Sequence, residues 1–517
     1  MPLYLDMCVD LYENALNNNM VLDTAMFSIP TNKIINRYIR HLKANEKNAI
    51  RLLSVLDFFS NKLALFILVR ENLFLSEDEL DNLFEKSIFV LLDEHQYFYK
   101  IDESVRHHLQ KSLDPEKKRI ILNHAMEYVK QNMKQSPNTC YRIFMRQFRI
   151  IADDTVYFEQ SIQDLVQIMV SFVDLGYWSD IHRMAAPYLN SGNSCIRAFA
   201  IFAELFYLRI TSRIPEAQKF MEENKIDSRL FKGYGYLYEF LKIHIIHLSG
   251  RYDEALDSYK ELLSRIEPIK ESLDSHIYIT VSLKYTDLLF LKGHFKTSLE
   301  MSKELAGTAD ISAVDKIKLL RIRGHIYRFN FMLEQALDIY HSAMDLLPLE
   351  KSLSYEGKIY TNLAESCCYS DPVKALEYAN KSIEINGKID SIIEIGKAYT
   401  AAAISCAMLQ RFEDAVQYAK KGIEAQEKTG YRSGVLFAKI ALYLSYLLGK
   451  TADEKNIESL LNNIYALQKE LNVYSFLLLP IHVINGDSNA IESLRVSTEW
   501  LNFDRTLKTL KDIFHLE

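Results

Sequence analysis

Along most of the chain, apolar residues recur three and four positions apart with polar residues between them, the spacing of helices with one buried face. Between about 211 and 429 this pattern is itself repeated. Six times a short turn leads into a segment opening with a small residue, at Ala217, Ala255, Ser298, Ala336, Ala375 and Ala415, with intervals of 38, 43, 38, 39 and 40 residues. Such regularity is what stacked helical hairpins need, and a single irregular core does not produce it. Gly250-Arg251-Tyr252-Asp253-Glu254-Ala255-Leu256 and Gln410-Arg411-Phe412-Glu413-Asp414-Ala415-Val416 are the clearest copies. The turn residue lets one helix end, and an aromatic such as Tyr252, Phe295 or Phe412 fills the wedge between helices. The small residue then lets the second helix approach closely. Tyr259, Tyr340, Ala379 and Ala419 follow one turn later on the same face. Pro268 and Pro348 fall where two second helices should stop.

Outside this array the pattern predicts helices over 32–45, 47–58, 62–71, 77–88 and 103–112. Ser76 before Glu77, Asp78 and Glu79 is a strong helix start, with a side-chain cap followed by acidic residues near the positive end of the dipole. Residues 89–92 and 97–101 alternate as the strands of a small hairpin, with 93–96 as its turn. Five segments are expected: an N-terminal helical segment at 1–45, a helical unit with the hairpin at 46–112, a helical linker at 113–193, the repeat array at 194–450 and terminal helices at 451–517. The last has apolar positions at Leu460, Leu461 and Ile464, then from Tyr474 to Leu479, with little consensus. The fold class is all-α with one hairpin.

The repeats resemble the tetratricopeptide repeat family. The copy around Gly324 fits best, with Gly324, Ala336, Tyr340, Ala343 and Pro348 at the family's small, aromatic and proline places. The opening tryptophan is absent and the period is near 39 rather than 34, which implies longer helices. The resemblance implies a right-handed α-α superhelix whose first helices line a concave face. The segments 49–56, 78–83 and 97–106 resemble the winged-helix domain of STAND-class signalling ATPases, and Pro2-Leu3-Tyr4-Leu5 resembles the end of their nucleotide-binding module. The sequence has no Gly-rich loop ending in Lys-Ser or Lys-Thr, and Ile101 stands where that family often has a nucleotide-sensing histidine.

Composition narrows the class. The 517 residues are 49% hydrophobic and 25% charged, an ordinary globular balance, and ten prolines and sixteen glycines favour helix. A net charge of -7 makes the whole chain an improbable polyanion binder. The six cysteines lack metal-like spacing, so buried thiols in a reducing cytoplasm are expected. No basic leader precedes an apolar run, and the run from Val435 to Leu448 is broken by Lys439, so neither secretion nor membrane insertion is expected. Locally, 76–86 carries a net -4, which would repel DNA phosphates, whereas 113–150 carries a net +5. Arg142, Arg146 and Arg149 form a stripe there, open to an acidic partner or nucleic acid, a solvated face or internal ion pairs.

Counting back from each small residue on the tetratricopeptide pattern assigns the concave face. It gives Phe240, His244 and His247, then Leu283, Asp287 and Phe290, then Arg321, His325 and Arg328, then Tyr360, Ala364 and Cys367. Arg321, His325 and Arg328 at i, i+4 and i+7 could clamp a carboxylate, with Phe240 and Phe290 as apolar pockets. Ala217, Ala255, Ser298, Gly324, Ala336, Ala375 and Ala415 are assigned to repeat packing. No catalytic constellation, cofactor or metal site is expected; His244 and His247 have no third ligand nearby in sequence. The leading expectation is a bacterial cytoplasmic regulator or scaffold that recognises a peptide or protein, the sensor part of a STAND-type system. A separately encoded ATPase or effector is a further partner. The alternative is a peptide-responsive DNA-binding transcriptional regulator.

Overall fold

The computed structural model describes residues 2–17, 31–93, 97–308, 311–347, 353–473 and 475–516. Pro348, Tyr474 and most of the expected hairpin turn lie outside them. The described residues are almost wholly helical, with one three-stranded sheet. They divide into two compact units, residues 1–168 and 169–517.

The first unit begins with α1 (Pro2–Asn17), α2 (Thr31–His41) and α3 (Ala44–Leu53). Next come β1 (Phe59–Ser60), α4 (Asn61–Arg70), α5 (Glu77–Phe84), β2 (Phe89–Asp93), β3 (Phe98–Ile101), α6 (Glu103–Gln110), α7 (Pro115–Asn132) and α8 (Pro137–Asp153). Ser76 caps α5 as its spacing predicts. Its hydroxyl accepts the Glu79 N–H at 3.1 Å, and the Glu79 carboxylate accepts the Ser76 N–H at 2.9 Å. Strands β2 and β3 pair antiparallel, Phe89 opposite Ile101 and Leu91 opposite Tyr99, with a register shift between Leu91 and Asp93. A third strand joins them in the order β1-β3-β2. Two residues are too short for alternation to reveal, which is why sequence periodicity misses β1. Phe59, Phe84 and Phe89 pack together on one face of the sheet, while Phe98, also buried, packs edge-on against Phe58 on the other.

In the second unit helices alternate as inner (A) and outer (B) members of hairpins. After α9 (Thr155–Asp174), within which the division between the units falls, and α10 (Trp178–Ala185), these are α11 (Ser194–Ile210) with α12 (Ile214–Glu223), α13 (Gly235–Leu248) with α14 (Tyr252–Ile266), and α15 (Ser275–Leu291) with α16 (Phe295–Ala306). After them come α17 (Ala313–Phe329) with α18 (Leu333–Asp345), α19 (Leu353–Cys367) with α20 (Pro372–Lys388), α21 (Ile392–Met408) with α22 (Phe412–Thr429), and α23 (Arg432–Gly449) with α24 (Glu454–Leu471). All six small residues opening B helices have no exposed surface. At Ser298 the buried hydroxyl finds its partner by donating to the Thr286 carbonyl of the paired A helix at 2.8 Å.

Five of the six turns share one backbone solution. Ser212, Gly250, Gly293, Phe331 and Gln410 are left-handed, with φ between 51 and 89°. In each, the next residue returns its N–H to a carbonyl five positions back, as Arg251 does to Ile246 and Arg411 to Cys406. The turn into α20 is built differently. It has four residues rather than three between helices, no left-handed residue, and Asp371 accepting the Lys374 N–H ahead of Pro372.

The stack closes on itself. Gly430 lies where a Cβ would come within 3.0 Å of Pro215, and Gly250 abuts Leu471 and Arg432. From there α25 (Leu479–Asn485), α26 (Ser488–Ser497) and α27 (Phe503–Ile513) run back along the A–B turns. The Glu499 N–H bonds the Gly293 carbonyl at 2.8 Å, and its carboxylate accepts from Thr297. Leu501 N–H and the Thr506 hydroxyl both bond Asn330 at 2.8 Å. Trp500 packs edge-on against Phe295 with ring centres 5.5 Å apart.

Candidate functional site in the interior of the superhelix

Because the hairpins close around an axis, their A helices line a cavity of about 330 Å³ that stays open to solvent. Phe240, His244, His247, Leu283, Asp287, Phe290, Arg321, His325 and Arg328 all line it. Tyr360, Ala364 and Cys367 do not. Tyr360 packs beside Tyr378 with ring centres 6.0 Å apart, and Ala364 and Cys367 are buried between helices. Lys358 and Glu365 of α19 face the cavity instead. A fixed count from the small residue presupposes that every A helix turns the same face to the interior, and α19 does not.

Phe290 and Phe329 form one wall with Phe476, at centroid distances of 5.9 and 5.4 Å, so the returning C-terminal segment seals that side. His325 Nδ1 lies 3.0 Å from the Tyr340 hydroxyl. Burial draws His247 down to about 4 and holds His244 and His325 well below the usual imidazole value, so all three rings are neutral at pH 7. His244 and His247 sit with ring centres 5.7 Å apart. Among the described residues no group of three or more His, Cys, Asp or Glu is placed to hold a metal ion.

Positive charge inside the cavity therefore belongs to arginine and lysine. Lys284, Arg321, Lys358 and Lys397 line it from four successive A helices and recur at intervals of 37, 37 and 39 residues. Arg209, Lys318 and Arg328 complete seven cations, against the lining carboxylates Asp174, Asp287, Glu365 and Glu394. Asp315 stands behind Lys318. Four of the cations are spent on neighbours. Lys284 pairs with Asp287 at 3.0 Å, Lys318 with Asp315 at 2.9 Å, Lys397 with Glu394 at 3.0 Å, and Arg328 with Glu365. Burial pushes Glu394 upward, but Lys397, Arg321 and Lys358 outweigh it and hold the carboxylate below its usual range.

Arg209, Arg321 and Lys358 have no carboxylate within ion-pair distance among the described residues. Burial, followed by the fields of Arg321, Arg209 and Lys284 and eased by Glu394, brings Lys358 down to about 7. Arg209 is also lowered, first by burial. The Nε atoms of Arg209, Arg321 and Arg328 are buried without a protein hydrogen-bond partner, as is His247 Nδ1. Buried polar groups are nearly always paired, so a cluster of exceptions in one cavity calls for a ligand or solvent to complete it.

The sequence stripe Arg142, Arg146 and Arg149 lies elsewhere, on α8. Arg142 pairs with Asp93 at 2.8 Å and covers the Phe98 ring at 4.3 Å, and Arg146 lies 3.6 Å from Asp57. Arg149 alone of the three is exposed without such a contact. Of the packing residues, Gly324 meets the Tyr340 ring, where a Cβ would fall 2.4 Å from Cε1. Five cysteines are buried and Cys8 is half-buried. None of the described helices is long and apolar enough to cross a membrane.

No protein-family profile matches the chain, and no curated protein matches its sequence. Among solved structures, a signal transduction ATPase with numerous domains (STAND) protein with a tetratricopeptide repeat sensor, from Pyrococcus horikoshii, aligns over 91% of this chain and 68% of its own. Identity is 17% and the TM-score 0.53. A Rap protein complexed with competence and sporulation factor aligns over 61% of this chain and 89% of its own, at 15% identity and TM-score 0.43. The APC/C hetero-tetramer Cut9-Hcn1 aligns over 86% and 83%, at 15% identity and TM-score 0.36. Of these three, the first superposes closely enough to bear on the fold. The chain is a tetratricopeptide-repeat-like helical superhelix, similar in fold across most of its length to that STAND protein.

Proposed function

We propose that this chain is a non-catalytic sensor or scaffold that takes a short peptide, or a projecting part of a protein, into the interior of its superhelix. The observation that carries the reading is the interior cavity itself, lined by side chains from successive A helices with several buried donors left unpaired. Its volume suits a few side chains rather than a whole helix or domain face. A sensor role in a STAND-type signalling system, acting with a separately encoded ATPase or effector, is consistent with the likeness in fold.

In the first unit, the order helix, strand, helix, helix, strand, strand across residues 44–101 supports a winged-helix reading. The acidic first turn of α5 and the internal engagement of Arg142 and Arg146 favour a protein-facing role there over duplex DNA.

The test places a photo-crosslinking residue at Leu283, inside the cavity, and separately at Val373 on the exposed face of α20, which is 56% exposed. Capture of one partner from Leu283 and not from Val373 is expected. Capture from Val373 alone would reject the interior as the binding site.

A further inference from the structure

Four of the seven lining cations are neutralised by adjacent carboxylates, three are not, and Asp174 offsets one of the three at longer range. With Lys358, which is drawn down to about 7, in its protonated form, the remaining excess is two positive charges in the cavity.

Arg209, Arg321 and Lys358 are each partly accessible inside the cavity, so a ligand can reach them, and charge left uncompensated away from bulk water carries a cost that marks a cleft as a candidate site. Arg209, Arg321 and Lys358 come from α11, α17 and α19, so three separate elements contribute to the excess. Two of the three are guanidinium groups, each with an unpaired buried Nε. Guanidinium forks match the oxygens of phosphate or carboxylate, and a lysine supplies a point charge beside them. The neutral imidazoles of His244 and His247 add hydrogen-bonding groups without adding charge. A carboxylate carries one negative charge, whereas a phosphate monoester near neutral pH carries close to two.

We infer that the superhelix interior binds a phosphate monoester dianion held by Arg209, Arg321 and Lys358. This rests on the reading of the interior as the ligand site and names the chemical class of its ligand. The phosphate belongs either to a small phosphorylated compound or to a phosphorylated side chain of a short peptide. The dianion matches the excess charge, and the aromatic wall of Phe290 and Phe329 accepts an apolar substituent on the ester.

The experiment is isothermal titration of the full chain at constant ionic strength. The probes are inorganic phosphate, phenyl phosphate, a short phosphoseryl peptide, its unphosphorylated form, and glutarate as a dicarboxylate control. Saturable binding of the phosphate probes, with no binding of the unphosphorylated peptide, is expected. Phenyl phosphate binding without the phosphopeptide identifies a small-molecule source, and the reverse identifies a peptide. Arg321→Gln and Lys358→Gln should each weaken binding about tenfold or more, equivalent to about 1.4 kcal/mol. Lys358→Arg should retain it, and Arg149→Gln, outside the cavity, should leave it unchanged. Thermal melts of each variant establish that it folds.

Absence of saturable phosphate binding by the folded wild-type chain would overturn the inference, as would equal binding by Arg321→Gln or equal affinity for glutarate. An uncharged peptide crosslinked at Leu283 equally well in wild type and Arg321→Gln would overturn it and leave the interior reading standing. Phosphate bound in the cavity while the partner is captured at Val373 alone would do the reverse.

Discussion

Lys358 shows how one side chain links stability to function. Its ammonium group lies in a cavity it shares with Arg321, Arg209, Lys284 and Glu394, and its affinity for the proton falls from 10.5 to about 7. Between those two values the unfolded chain holds more protons than the folded one, so stability rises with pH across the window. The penalty is fully present below about 7. Lys358→Met should therefore stabilise the chain by about 1–3 kcal/mol below pH 7 and lose that advantage as the pH nears 10.5. Urea unfolding at several pH values measures this, and an advantage independent of pH would show that Lys358 is not charged at a cost. Gly324 makes the opposite point, because there it is contact that decides. A Cβ would sit 2.4 Å from the fully buried Tyr340 ring, so Gly324→Ala should destabilise by about 1–3 kcal/mol in urea unfolding, against near-neutrality if the ring can move. The small-residue spacing makes Gly324 legible in the sequence. The importance of Lys358 is not legible there, because nothing about one lysine reveals that its neighbours' carboxylates are already engaged.

At the scale of the element, the repeated unit is the turn as much as the helix. Gly250 and Gly293 announce the left-handed residue, while Ser212, Phe331 and Gln410 adopt the same conformation without being glycine. The hydrogen bond to the carbonyl five residues back holds all five. Gln410 is exposed, so Gln410→Gly should relieve local strain and raise stability by about 0.5–1 kcal/mol, read by urea unfolding; a loss would mean that its side chain contributes more than its backbone costs. Helix α19 shows the limit of counting. It and the helix after it are where periodicity predicts them, yet Tyr360, Ala364 and Cys367 pack between helices and Lys358 and Glu365 face the cavity. Periodicity locates a helix and its buried face, whereas which part of that face looks inward depends on how the helix is rotated against its neighbours. The 37-residue recurrence of Lys284, Arg321 and Lys358 is the signal in the sequence that marks those inward positions.

At the scale of the second unit, closure creates the site. Hairpins more than 200 residues apart in sequence meet through Gly430 and Pro215, and the C-terminal segment ties down turns between them. Trp500 anchors that segment by burying its ring against Phe295 and Phe503 and donating its indole N–H to the Leu494 carbonyl at 2.9 Å. Trp500→Ala should cost about 3–5 kcal/mol and speed hydrogen exchange at residues 292–297 and 330–332, while exchange at the B helices changes less; uniform acceleration would indicate global loss of stability rather than release of the segment. The sequence by itself determined the helical class, the repeat, the small packing positions and most of the residues that face the interior, because helix spacing and close approach are local demands written at short range. Only the tertiary structure decided that the stack closes around a cavity, that residues 475–514 return over its turns, and which cations remain unpaired. Those outcomes depend on side chains tens to hundreds of positions apart meeting in space, and no periodicity along the chain encodes that distance.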